Sequence, residues 1–526
     1  MCGIALVIGP GGQPSDLDPM MAAIAGRGEL DERRHTPTVQ AGTQRLRIVD
    51  REHAVQPWQS PDGRWLLCYN GEVFNHDELR AELAAAGHTF GTESDTEVVM
   101  TAFLEWGEAA VDRLRGEFAF AVVDLHTDDT YLVRDPLGVK PLYFSWRHGR
   151  LHVASEIKAL VGVGAAITEV PPGHHGWARR GSGPHLLPHY DIRSTVPVEE
   201  QVTDPREAVD LVRRTLSESI AIRLRTDLTV GVVLSGGLDS SVVLHHVHRM
   251  HPDCVAVTIG APGSKDLEHA RRLTAELGVR HEVVDLRPAD LGWRQMAQAV
   301  RVGELTEYGD IINAAVSIPL FRRFHDLGIK VVLTGDGSDE LFGGYRMYHD
   351  IDAAQGERLF VHKLANLGRT ELHRVDRAAM SQGVEARVPF LDREMVTLAR
   401  RIPLAMKIGG PQEKWLVREA FADILPDHIR TRPKSGMSYS SGLHDRARLF
   451  KPLFPTLHRR NGFDLHAPVR RDFDTVLHHQ GDDLDLATVE LARRGDNTPL
   501  ERGKDLLGAV RWNVEPPVRR WLAGRR

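Results

Sequence analysis

The chain has 526 residues, of which 42% are hydrophobic and 26% charged, with a formal net charge of -6. That length predicts more than one domain with sizeable cores, and the mildly acidic balance excludes a global electrostatic case for nucleic acid or an anionic membrane surface. Its three cysteines, Cys2, Cys68 and Cys254, show no paired spacing, so the chain offers no disulfide framework and no zinc site, and a cytoplasmic location is expected.

The opening run Met1-Cys2-Gly3-Ile4-Ala5-Leu6-Val7-Ile8 lacks a basic leader and ends at the turn Gly9-Pro10-Gly11-Gly12, so a strand is expected rather than a signal peptide. No run elsewhere reaches the ~18 apolar residues of a membrane span. Apolar runs at 3–8, 64–69, 117–124 and 131–134 read as strands, and helical spacing appears at 77–86 and 95–106. Together they predict a sheet-rich α+β domain over 1–195. The polar, Pro-punctuated stretch 192–205 marks a boundary, followed by a helical pattern at 208–225. In the second domain, 205–526, strands expected at 230–234, 255–259, 281–284 and 330–333 alternate with helices, one of them at 267–278. This alternation predicts an α/β doubly wound parallel sheet with helical additions. Beyond 390 the pattern is mainly helical, with a divergent helical tail after about 450. The locally basic end, 502–526, reads as a solvated helix face or tail rather than a nucleic-acid arm.

Ser235-Gly236-Gly237-Leu238-Asp239-Ser240-Ser241 stands between the apolar run ending in Leu234 and a helix-forming run. Paired glycines permit positive φ and inward N–H groups, and the following helix adds its positive dipole end, which favours an anion. The residues fit neither Gly-x-x-x-x-Gly-Lys-Ser/Thr nor Gly-x-Gly-x-x-Gly, which leaves a pyrophosphate cradle, with a plain tight turn as the alternative. Asp239 would repel an anion there unless Mg²⁺ bridged the two, so the stretch points to Mg·ATP.

In the first domain, Cys2 becomes N-terminal once Met1 is removed. It would then carry a thiol and an α-amine of pKa about 7.7 to 8.0, a nucleophile and its base in one residue. The segment Tyr69-Asn70-Gly71-Glu72 follows a strand and offers an amide side chain beside a glycine N–H, the donors an oxyanion hole needs. Asn-Gly is also a common hairpin turn. Arg45, with Glu72 and Asp95, has the charges to clamp an amino acid by its carboxylate and ammonium groups.

Met1-Cys2-Gly3-Ile4, Arg45-Leu46-Arg47-Ile48-Val49-Asp50, Tyr69-Asn70-Gly71-Glu72, Ser94-Asp95-Thr96-Glu97, the 134–143 run beginning Arg134-Asp135-Pro136, and Ala154-Ser155-Glu156-Ile157-Lys158 resemble, in order and spacing, the class II glutamine amidotransferase domain of glutamine-hydrolysing asparagine synthetases. The second domain is similar to the synthetase half of that family. The similarity lies in the Ser235 loop, Leu333-Thr334-Gly335-Asp336-Gly337-Ser338-Asp339-Glu340-Leu341-Phe342-Gly343-Gly344-Tyr345, Gly383-Val384-Glu385-Ala386-Arg387-Val388-Pro389-Phe390-Leu391-Asp392 and Arg432-Pro433-Lys434. The resemblance implies an N-terminal nucleophile αββα sandwich joined to an ATP pyrophosphatase domain. It implies that Arg45, Asn70, Gly71, Glu72 and Asp95 hold glutamine, that Cys2 attacks it, and that Asn70 and Gly71 stabilise the oxyanion. It further implies that Leu234, Ser235, Gly236, Gly237, Asp239, Ser240 and Gly335 hold ATP, with Asp239 and Asp339 on Mg²⁺. Lys434 would offset charge on the α-phosphate while a carboxylic-acid acceptor attacks it, and Asp336 would help deprotonate the incoming ammonia. Relatives of this family are often homodimers; neither nucleic acid nor membrane is an expected partner.

Two departures accompany the resemblance. Arg27-Gly28-Glu29-Leu30 stands where the family usually reads Arg-Gly-Pro-Asp, and the stretch 31–42 is shortened, which bears on closure over glutamine. Gly436-Met437-Ser438-Tyr439-Ser440-Ser441-Gly442 resembles a segment of β-lactam synthetases, although Asp336, Ala379 and Cys2 oppose that reading. The expected reaction is amidation of aspartate to asparagine, with another acceptor acid, lactam formation and a non-catalytic regulatory relative as alternatives. Residues 301–310 are expected to border the acceptor pocket, Glu304 and Glu307 reading equally as solvated helix-end charges.

Overall fold

The computed structural model describes residues 1–433, apart from 288–289, 306–307, 346–347, 349–351 and 410–411. Lys434, the glycine- and serine-rich segment after it, the tail and Glu307 lie outside the described residues.

The N-terminal body contains β1 (Cys2–Ile8), α1 (Asp18–Ala23), β2 (Leu30–His35), β3 (Val39–Arg45), β4 (Trp58–Gln59), β5 (Trp65–Val73), α2 (His76–Ala85), α3 (Asp95–Trp106) and α4 (Ala110–Arg113). It continues through β6 (Gly116–Asp124), β7 (Thr130–Arg134), β8 (Tyr143–Arg147), β9 (Arg150–Ala154), β10 (Ile167–Glu169), β11 (His174–Ala178) and β12 (His185–Pro188). Two six-stranded antiparallel sheets result, ordered β10-β8-β9-β1-β3-β2 and β12-β11-β7-β6-β5-β4. Period-two alternation stacks them. Ile4, Leu6 and Ile8 face Leu66, Cys68, Ala119 and Ala121 between the sheets, while Ala5 and Val7 turn outward onto Met20 and Met21 of α1. Leu67, Tyr69 and Val73 pack outward with Leu79 of α2 and Val99 and Phe103 of α3, completing the αββα sandwich.

Two local expectations change. Asn70-Gly71 is neither turn nor strand end, because β5 runs through to Val73 and pairs with β6 along its whole length. Gly71 is small because a Cβ there would lie 2.4 Å from the Glu117 carbonyl oxygen. The shortened stretch 31–42 folds as the hairpin of β2 and β3, with His35 opposite Gln40.

The C-terminal body begins with α5 (Pro205–Ile222), three residues earlier than the apolar spacing suggests. Asp204 caps it, accepting from the Arg206 and Glu207 amides at 2.9 Å, and Pro205 fits the first helical position. The elements β13 (Val230–Val233), α6 (Leu238–Met250), β14 (Val255–Gly260), α7 (Lys265–Leu277), β15 (Arg280–Asp285), α8 (Trp293–Gly303) and α9 (Tyr308–Asp326) follow in order. After them come β16 (Val331–Leu333), α10 (Ser338–Leu341), α11 (Ala353–Ala365), α12 (Glu371–Met380) and β17 (Glu385–Arg387). All strand pairs are parallel, in the order β15-β14-β13-β16-β17. Val230 and Val232 pack with Val242 and Val243 of α6, and Val257 and Ile259 with Val300 and Phe321 of α8 and α9, so helices cover both faces. Among the described residues no helix is long and apolar enough to cross a membrane.

The bodies meet through buried charges. Arg27 donates to Asp376 and Glu156, each at 2.8 Å; Arg223 reaches Glu117 at 3.1 Å and Asp392 at 2.8 Å. Glu304 corrects the expectation of a solvated or pocket-lining charge. It is fully buried and caps α8 with φ 53°, accepting from the Ile157 amide at 3.2 Å, the Lys158 amide at 2.7 Å and Arg377 at 2.9 Å. Desolvated pairs of this kind add little net stability while intact, but removing one partner strands a charge. Their value is in fixing how the two bodies sit.

Candidate active sites

The first constellation lies where β1, β3 and β5 meet the second body. Cys2, opposite Arg45 in the β1–β3 ladder, is 4% exposed, and its amide donates to Asn70 Oδ1 at 3.1 Å. With that oxygen engaged, Asn70 Nδ2 is buried and has no hydrogen-bond partner among the described residues. An orphaned donor beside a thiol is unfavourable in a resting protein and useful to an oxygen that gains charge during reaction. Gln56, which the sequence reading missed, donates from Nε2 to Cys2 Sγ at 3.7 Å while its Oε1 accepts from the Tyr69 amide at 2.9 Å. Burial pushes the Cys2 thiol up against the opposing pull of the amino terminus and Arg45.

The charged residues are close by. Arg45 holds Glu32 of β2 through Nε at 2.9 Å and Nη2 at 3.1 Å, so the shortened stretch supplies its partner. Asp95, at the start of α3, accepts from Tyr69 Oη at 2.7 Å and from the Val73 amide at 3.1 Å. Glu72 is buried 3.6 Å from Arg387 of β17; burial and Asp95 raise its pKa, with Arg387 opposing. The Met1 amine reaches Glu385 of β17 at 2.8 Å and is buried there. Two residues of the second body therefore wall the first constellation.

The second constellation surrounds the β13–α6 turn. Leu234, the residue after β13, is buried. Gly236 has φ +66°, and a Cβ on it would lie 2.7 Å from the Asp266 carbonyl oxygen. Glycine is required on both counts. Ser240 Oγ accepts from the Ser235 amide at 3.1 Å and stabilises the turn. Gly335 lets the β16–α10 loop approach, since a Cβ there would meet Asp239 Cβ at 2.9 Å. A cavity of about 380 Å³ opens between the loops, lined by Ser235, Gly237, Asp239, Ser240, Gly335, Asp336 and Asp339 among others.

Asp239 and Asp339 converge on Lys414, with Nζ 2.5 Å from Asp239 Oδ2 and 2.8 Å from Asp339 Oδ1. Burial alone would lower the Lys414 ammonium, but the two carboxylates outweigh it and raise its pKa. Lys414 was not legible beforehand, since 175 residues and a left-handed backbone of φ 57° separate it from the turn pattern. Asp336 accepts from Arg374 Nη2 at 3.1 Å. Arg432 donates to the Gly236 carbonyl at 2.7 Å and also pairs with Asp266, tethering the chain just before Lys434 to the glycine loop. Beyond Asp336, the cavity wall carries Glu340, Glu371, Tyr345, Asn313 and Ser317.

A thiol with a spare amide donor in an αββα sandwich, joined to a parallel sheet with a glycine turn and paired aspartates, defines the class: an amidotransferase body coupled to a synthetase body. A family profile described as "Glutamine amidotransferase domain" matches residues 1–172, and one described as "Asparagine synthase" matches 211–359 and 352–461. Asparagine synthetase B [glutamine-hydrolyzing] of Escherichia coli (strain K12) is 35% identical over 422 residues, covering 76% of this chain and 74% of that protein. Asparagine synthetase [glutamine-hydrolyzing] 3 of Arabidopsis thaliana is 34% identical over 441 residues, covering 77% and 73%. The chain belongs to the glutamine-hydrolysing asparagine synthetase family. A solved glutamine phosphoribosylpyrophosphate amidotransferase from B. subtilis aligns at TM-score 0.32 and 16% identity, covering 64% of this chain and 81% of that one; a likeness at that level adds nothing to the assignment.

Proposed function

We propose that the protein is a ligase that takes ammonia from glutamine and uses ATP to amidate a carboxylic acid through an acyl-adenylate, aspartate to asparagine being the favoured reaction. The observation that carries this reading is the buried Asn70 Nδ2 beside Cys2, which has no hydrogen-bond partner among the described residues. After removal of Met1, the Cys2 amine takes the thiol proton, and the thiolate attacks the side-chain carbonyl of glutamine. Asn70 Nδ2 and the Gly71 amide receive the oxyanion, the C–N bond breaks, and ammonia leaves with the transferred proton. Water then hydrolyses the thioester to release glutamate. Arg45 takes the glutamine carboxylate in exchange for Glu32, and Glu72 and Asp95 face the ammonium group.

In the second body the Ser235 to Gly237 turn, Leu234, Ser240 and Gly335 hold the nucleotide. The convergence of two carboxylates on one cation suits Mg²⁺, which is commonly held by one or two carboxylates and substrate phosphates. Asp239 and Asp339 would hold it, and it would neutralise charge on the departing pyrophosphate; Lys414 pairs with the same two carboxylates. Lys434 stabilises the α-phosphate while the acceptor carboxylate attacks it and pyrophosphate leaves; ammonia then attacks the acyl-adenylate carbonyl, AMP departs, and Asp336, held by Arg374, accepts the proton lost from the attacking nitrogen. An amino-acid acceptor is favoured because the wall beyond Asp336 combines cationic Arg374 with Glu340 and Glu371. Cyclisation to a lactam is disfavoured, since Ala379 is buried in the apolar core of α12. Functional division falls between 195 and 205, and ammonia crosses the buried interface that Glu385, Arg387 and Lys140 line.

Replacing Cys2 by alanine tests the division of labour. Product formation from glutamine should vanish while formation from free ammonia continues at near its original rate. Equal loss from both nitrogen sources would overturn it.

A further inference from the structure

A second cavity, of about 500 Å³, lies on the outer face of the N-terminal body, between α1 and the β8–β9 hairpin, and shares no lining residue with either constellation. Its wall carries Asp16, Arg147, His148, Arg150, His152 and Lys158. Arg147 and Arg150 stand directly opposite each other in the hairpin register. Like charges so placed are destabilising unless something neutralises them. Asp16 answers only one of them, pairing with Arg150 at 2.9 Å, while Arg147 donates to the Val163 carbonyl and meets no carboxylate among the described residues. Lys158 pairs with Glu156, which also serves Arg27.

His152 supplies an independent pointer. It is 8% exposed, lies on the face of the sheet turned toward the cavity, and its Nδ1 has no hydrogen-bond partner among the described residues. A buried ring nitrogen left unsatisfied beside uncompensated guanidinium charge is a ligand site in electrostatic outline. The volume falls within the usual range for small-molecule pockets and is far larger than an inorganic oxyanion needs.

We propose that this cavity binds a small phosphate monoester, its phosphoryl group between Arg147 and Arg150 and an oxygen against His152 Nδ1. Arginine forks match phosphoryl oxygens bidentately, and the remaining volume takes the carbon skeleton. Lys158 connects the site to the domain interface, because its amide donates to Glu304, the partner of Arg377.

Isothermal titration of the full-length protein with ribose 5-phosphate, and separately with inorganic phosphate, tests the site. Saturable binding of ribose 5-phosphate is expected, tighter than that of inorganic phosphate. It should weaken about tenfold or more in R147Q and in R150Q and persist in S235A, which alters only the glycine turn. Arg147 is exposed, so R147Q serves even if R150Q folds poorly. Absence of saturable binding, equal or tighter binding of inorganic phosphate, unchanged binding in R147Q, or loss confined to S235A would each overturn the proposal.

Discussion

Among the described residues Asn70 makes one side-chain bond and leaves its Nδ2 without a partner. Its Oδ1 fixes the Cys2 amide, so replacement by alanine loses a positioning contact and an oxyanion donor together. Asn70→Ala should lower the turnover of glutamine by about a hundredfold to a thousandfold, with ammonia-dependent synthesis spared, as steady-state assays with each nitrogen source would read. Lys414 presents the opposite case, a residue fully committed to two carboxylates. Lys414→Met should reduce pyrophosphate release about a hundredfold or more with either nitrogen source while glutamine hydrolysis continues. Retained pyrophosphate release would remove Lys414 from the nucleotide site.

At the scale of elements, the glycine turn shows what sequence can convey. Two glycines after an apolar run predict a tight turn at a strand end, and Gly236 meets that requirement with φ +66°. Gly236→Ala combines a left-handed backbone with a Cβ against the Asp266 carbonyl, so a loss of about 1–3 kcal/mol is expected in urea titration. β1, β5, β6 and β7 of the first body and β13 to β16 of the second were legible because they are continuous apolar or alternating runs, whereas β3, β8 and β9, whose charged and polar residues interrupt the run, were not. β17 was not, because its three residues include Glu385 and Arg387, charges that pair with each other and with Met1 and Glu72 of the first body. The same physics hid Glu304. An acid at a helix end reads as solvated until a partner 73 residues later in the chain, Arg377, folds onto it. Of the candidate sites, the motif residues were visible as local patterns, whereas Gln56, Lys414 and Arg374 act through contacts made only in three dimensions.

Buried charge fixes how the two bodies sit, and it gives the whole molecule a definite acid response. In the chain that keeps Met1, burial pushes Glu385 up, but the Met1 amine, Arg387 and Lys140 outweigh that and bring it down to about 2, from an ordinary 4.5. Glu156 is likewise near 2, with Lys158 and Arg27 opposing burial. A carboxylate depressed in the folded state stabilises it above the unfolded pKa and loses that stabilisation as pH falls through the folded value. Stability should therefore fall as pH drops from about 4.5 toward 2, measured by urea midpoint against pH, and E156Q should flatten part of that dependence. Glu304→Gln leaves Arg377 buried with one charged partner fewer and should cost about 3–5 kcal/mol in the same assay.

The central claim is that the two bodies work as one enzyme, glutamine nitrogen passing to an activated acid. Mass spectrometry of products from the full-length protein, Mg·ATP, aspartate and glutamine labelled with ¹⁵N at the side-chain amide tests it most directly. The account predicts labelled asparagine formed in step with pyrophosphate and glutamate. Glutamate released without any labelled amide product, with aspartate and with a panel of other carboxylic acids alike, would contradict it.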